Sequence, residues 1–224
     1  MLFTKNFQQL EAEVQRHVAA DQVAQGSYKT CFIGCLAKQK NSPEFIQREY
    51  GIPLAVSRIA ESIFERLPSD EAPLFFAAFP DAIQCNGKDL NCVGWQFLAA
   101  ELRSLQPVTP EVQEVIDTVI TGIGLLAQGK EWPEEDAWAA DWAASAGWAA
   151  EAACWADWAA EAAYWAARAA ANAAGWADWA AYRTAWAAAL AADGDACLAT
   201  RRRRRDLLLQ LIKEAPITQQ EDNS

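Results

Sequence analysis

The chain has 224 residues, is 52% hydrophobic and carries a formal net charge of −11. That length holds one sizeable domain or two small ones. The acidity excludes general affinity for duplex nucleic acid, which needs a basic face against the phosphates.

The opening MLFTKNFQQLEAEVQRH lacks a basic stretch followed by an apolar run, so no signal peptide is expected. The six cysteines are therefore expected to be reduced thiols in a cytoplasmic protein, not a disulfide framework.

In chain order, Phe3, Phe7, Leu10, Val14 and Val18 recur at three- and four-residue spacing, which predicts an amphipathic helix over 3–25, ended by Gly26-Ser27. A short helix over 30–38 holds CFIGCLA. Ser42-Pro43-Glu44 reads as an N-cap followed by a first-turn proline, and Gly51 as the stop. Pro53 restarts a helix with Val56, Ile59, Ala60, Ile63 and Phe64 on its apolar face, and Pro68 ends it.

The dense apolar stretch 73–84 must be buried, and Asn86-Gly87 is a turn whose flanks lack the alternation of a hairpin. Helices follow over 90–105, with Val93, Phe97, Leu98, Leu102 and Leu105 on one side, and from Thr109-Pro110-Glu111 to about Gln128. No segment reads as a strand. The fold class is all-α: an N-terminal multi-helix domain (1–130), an Ala/Trp-rich helical segment (131–194), a C-terminal helix (195–216) and a disordered tail (217–224).

The segment 137–192 is the most unusual part: of its 56 residues, 31 are Ala and nine are Trp. Alanine favours helix but offers little surface, so the indoles must supply the packing. With Trp148 at heptad position a, Trp155 and Trp176 also fall at a, and Trp158, Trp165, Trp179 and Trp186 at d. A single straight helix here would reach about 84 Å; Gly147, Asn172 and Gly175 are where it can instead fold back into a hairpin. Regular charges (Asp141, Glu151, Asp157, Glu161, Arg168, Asp178, Arg183) argue against a membrane span. An indole seam of this size is expected to drive self-association as a dimer.

Two groups of residues carry possible binding chemistry. Trp155, Trp158, Tyr164, Trp165, Arg168, Trp179, Tyr182 and Arg183 combine aromatic faces with guanidinium groups, the equipment for a nucleobase and a phosphate. Arg201 to Arg205 precede DLLLQLI on one helix, where Arg201, Arg204 and Arg205 share a stripe with Leu208, Leu211 and Ile212. They need inward partners: either the carboxylates of Glu151, Asp157, Glu161 and Asp178, or a small anionic ligand. Cys31 and Cys35 share a helix face near the only histidine, His17. Neither Cys85 nor Cys92 supplies the paired spacing of a zinc site, so no metal and no cofactor are expected. A Cys–His enzyme is the competing reading.

The motifs RHVAADQVAQGSYKTCFIGCLA, EYGIPLAVSRIAESIFERLP and FPDAI, with the Ala-rich tail ending RRDLLLQLI, together resemble a family of uncharacterised bacterial and phage proteins. Its signature is H-x3-D…G-x-Y…C-x3-C followed by YGIP…IFE-x-LP. It is matched by His17, Asp21, Gly26, Tyr28, Cys31, Cys35, Tyr50, Gly51, Ile52, Pro53, Ile63, Phe64, Glu65, Leu67 and Pro68. The tail also resembles the Ala/Trp repeats of immunity proteins. This chain departs from the family in reading KTC where a glycine precedes the first cysteine, and in its tryptophan content.

The resemblance implies a phage or mobile-element setting, in the host cell cytoplasm, and assigns His17, Asp21, Tyr28, Cys31 and Cys35 no role. The expectation is a non-enzymatic binding protein that counters host defence by sequestering a nucleotide-type anion. A protein-interaction module acting through the Trp seam is the alternative, and an enzyme using His17, Asp21 and a cysteine is the third.

Overall fold

The computed structural model describes residues 2–27, 29–37, 42–104, 110–128, 130, 132–133 and 194–218. These hold eight α-helices, and no strand is present among the described residues, so the protein is all-α. The helices are α1 (Phe7–Ala19), α2 (Phe32–Leu36), α3 (Pro43–Tyr50), α4 (Leu54–Phe64), α5 (Ala72–Ile83), α6 (Val93–Arg103), α7 (Pro110–Leu126) and α8 (Gly194–Glu214). Two isolated β-bridges, Phe3 with Asp89 and Lys88 with Ile217, are the extent of extended pairing among the described residues. By contact the chain forms two compact units, Met1–Val93 with Arg201–Ser224, and Gly94–Thr200.

In the first unit α2 packs on α1, α3 and α4, and α5 packs on α1 and α4. Phe32 of α2 is the hub of the core. Its ring meets Phe79 and Phe76 edge-on at 4.9 and 5.5 Å and stacks on Phe75 at 5.8 Å. These are the offset and edge-to-face geometries that the aromatic quadrupole favours. The apolar stretch 73–84 is thus explained as α5, whose phenylalanines face this cluster, although Leu74 points to solvent.

The helix ends follow their local chemistry. Ser42 Oγ accepts the N–H of Phe45 at 3.2 Å, Pro43 occupies the first turn, and Gly51 ends α3 at φ +69°. A Cβ on Gly51 would fall on the carbonyl oxygen of Phe3, so the position requires glycine for space as well as for φ.

The first helix is shorter than its apolar spacing predicts. Asn6 stands at φ 54° and Phe7 begins α1 with its N–H on the Asn86 side-chain oxygen at 2.8 Å. Phe3 therefore belongs to an extended bridge and not to the helix. Val18 is 40% exposed, and the buried stripe is Leu10, Val14 and His17.

In the second unit, Phe97, Leu98 and Leu102 are buried on α6, and Ile116, Val119 and Ile123 form the buried stripe of α7. The Trp132 ring lies directly against Gly122 of α7, where a Cβ would collide with the indole. The fold-back of 137–192 and its indole seam lie outside the described residues. Ile217 and Thr218, at the start of the expected tail, are held: Thr218 N donates to Gly87 O at 2.9 Å.

Candidate functional site

Several of the motif residues lie along a polar seam where α2 packs on α1 and on α4. His17 and Asp21 end α1 as a Schellman turn. Gln22 N donates to His17 O at 3.1 Å, Asp21 N to Val18 O at 3.1 Å, and Asp21 takes the left-handed φ of 52°. Aspartate tolerates that conformation better than most residues, which accounts for the H-x3-D spacing as helix-ending geometry.

The following loop is fastened to the end of α4. Gln25 Nε2 donates to the carbonyls of Phe64 and Leu67 at 2.6 and 2.8 Å, and Gly26 N donates to Glu65 Oε2 at 2.8 Å. Gly26 permits this at φ +75°. Cys31 then N-caps α2, its Sγ accepting from Gly34 N at 3.3 Å, while Ile33 N donates to Glu61 Oε2 at 2.8 Å. The two halves of the signature, separated by some thirty residues, are thus one bonded unit. Tyr28 lies outside the described residues.

The seam's electrostatics follow from burial. Cys31 and Cys35 are 3% and 0% exposed and are not disulfide-bonded. Desolvation, reinforced by the charge of Glu61, pushes each thiol up to about 12. Cys35 Sγ donates to Thr30 O at 3.3 Å. Burial also raises Glu61, against the opposing pull of its bonds from Cys31 and Ile33.

On α1, Arg16 lowers Glu13 through a 2.7 Å ion pair, and His17 Nε2 lies 2.7 Å from Arg16 Nη2 and 3.3 Å from Glu13 Oε1. Sequence spacing pointed to no metal, yet the fold brings together Cys31, Glu61 and Glu65, with donor atoms within 4.8 Å of one another. Glu61 was missing from the sequence reading and Glu65 entered it only as a residue of the family signature, because both lie a helix away from the cysteines. The i, i+4 spacing of Glu61 and Glu65 beside a buried stripe was the available signal.

The arginine run is the second candidate. Arg204 is 1% exposed on the stripe of Leu208 and Ile212, as the helical spacing predicts. Arg202 and Arg205 both pair with Glu71: Arg202 Nε donates to Oε1 at 2.8 Å and Arg205 Nη1 to Oε2 at 2.9 Å. Arg202 is the main cause holding the Glu71 carboxyl below its usual range. Glu71, the N-cap residue of α5, was not among the carboxylates expected from sequence. The Nε of Arg201 is buried with no hydrogen-bond partner. Trp155, Trp158, Tyr164, Trp165, Arg168, Trp179, Tyr182 and Arg183 lie outside the described residues.

No helix among the described residues is long and apolar enough to cross a membrane. No protein-family model, curated protein or solved structure matches this chain.

Proposed function

We propose that this chain is a non-enzymatic binding protein of a phage or mobile element that counters host defence by sequestering a small anionic, nucleotide-type ligand. The setting rests on the family resemblance. The ligand class rests on one observation, the buried Nε of Arg201 without a hydrogen-bond partner, on a helix where Arg202 and Arg205 share the one carboxylate of Glu71. A guanidinium so placed is suited to a phosphate oxygen. The aromatic faces that a nucleobase needs are present in the segment 137–192. Binding without catalysis is supported by the seam, where both motif cysteines are held as protonated thiols in structural bonds.

The test is native mass spectrometry of the purified chain, with and without incubation in a nucleotide extract. A retained nucleotide mass on a dimer is the expected result, with retention lost in Arg201→Gln at unchanged melting temperature. A dimer that retains nothing would instead favour an interaction module acting through its tryptophans. Turnover of an added nucleotide would overturn the reading altogether.

A further inference from the structure

We propose that Cys31, Glu61 and Glu65 form a binding site for a divalent cation of the zinc class. Their donor atoms lie within 4.8 Å of one another, so modest side-chain adjustment brings all three onto one ion. The set joins one sulfur to two carboxylate oxygens, a mixture that zinc accepts and that calcium or magnesium does not.

The donors sit on well-held backbone. Cys31 is the N-cap of α2, and Glu61 and Glu65 stand one helical turn apart at the end of α4. Each carboxylate has Oε2 anchored by a main-chain N–H at 2.8 Å, from Ile33 and from Gly26. That leaves the other oxygen of Glu65 for an ion, while at Glu61 the ion would replace the proton of the bond from the Cys31 thiol, and backbone bonds of this kind orient carboxylate ligands. Cys31 closes the inner side at 3% exposure, whereas Glu65 is exposed and gives the ion its entry.

On binding, the Cys31 thiol releases its proton to solvent and the thiolate takes the metal.

The experiment uses the full chain, stripped by chelator and titrated with Co2+, reading the near-ultraviolet thiolate-to-cobalt charge-transfer band. One equivalent of Co2+ should develop the band, and Zn2+ should displace it. Cys31→Ser should abolish the band and Cys35→Ser should leave it in place. Glu65→Gln should weaken Co2+ binding by about tenfold. Because Glu65 is exposed and glutamine can still accept the Gly26 N–H, this variant keeps the fold even if Cys31→Ser does not. No band in the wild-type chain, a band that persists in Cys31→Ser, or unaltered affinity in Glu65→Gln would each overturn the proposal.

Discussion

The Nζ of Lys88 lies 3.0 Å from the carbonyl oxygen of Ile212, a residue 124 positions further along the chain. The same ammonium donates to Ala82 O at 3.1 Å and Lys213 O at 2.6 Å. Lys88 is 1% exposed, so one buried cation closes the C-terminal ends of α5 and α8 together. Both ends present carbonyls with acceptor capacity to spare and the negative pole of a helix dipole, which offset part of the cost of burying an ammonium; burial still holds Lys88 below the usual lysine range. The backbone of Lys88 adds to the clasp, exchanging bonds with Thr4 at 2.8 and 2.9 Å.

Replacing Lys88 with Met keeps the stem and removes the charge, taking a donor from the carbonyls of Ala82 and Lys213 and leaving Ile212 O only the Ala215 N–H at 3.3 Å. A loss of about 3 kcal/mol is expected, from the cost of unsatisfied buried acceptors. Urea unfolding followed by circular dichroism measures it, and a change below about 1 kcal/mol would show that the clasp is dispensable.

Alkaline pH should unfold the protein in a defined window. Cys31 and Cys35 are raised from 9.0 to about 12, and Tyr50 is raised from 10.0 to about 12, all chiefly by burial. The unfolded chain releases these protons first, so stability is full below about pH 9 and is lost as pH rises towards about 12. Lys88 acts with the opposite sign, because burial lowers it and the unfolded chain holds its proton longer. Melting temperature measured from pH 7 to 11 should therefore fall above about pH 9, and fall less steeply in Cys35→Ala.

Gly51→Ala should be among the most damaging single-methyl changes in the chain. The new Cβ meets the Phe3 carbonyl, and φ +69° is strained for any residue bearing one. A cost of about 2–4 kcal/mol is expected, together with loosening of the Phe3–Asp89 bridge. Amide exchange at Thr4 and Lys5, whose N–H groups donate to Lys88 O and Tyr50 O, should accelerate with it.

Two glycines on α7 make an internal control. Gly124 has open space where a Cβ would go, so Gly124→Ala should stabilise by up to about 1 kcal/mol through helix propensity. Gly122 is covered by the Trp132 ring, so Gly122→Ala should destabilise despite the same propensity gain. Equal effects of the two substitutions on the urea midpoint would mean that Trp132 does not pack on this turn.

The local code of this chain was legible because it depends on neighbours in sequence. Ser42-Pro43, Gly51, Pro53 and Asn86-Gly87 mark boundaries through φ preferences and missing donors, and the apolar spacing of α4 names the residues that are buried. The inward turn of Arg204 also follows from 100° per residue alone.

Tertiary structure decided the partners. Glu71 answers Arg202 and Arg205, Lys88 answers Ile212, and Glu61 and Glu65 stand beside Cys31, each pairing residues that nothing in the linear pattern connects. A charge shows in sequence that it needs a partner, but the choice among distant carboxylates is made by how helices pack. The same reason separates the division of the chain at 130, drawn from composition, from the contact grouping that returns Arg201–Ser224 to the N-terminal residues. Composition changes where amino-acid usage changes, whereas a compact unit is defined by which surfaces bury one another.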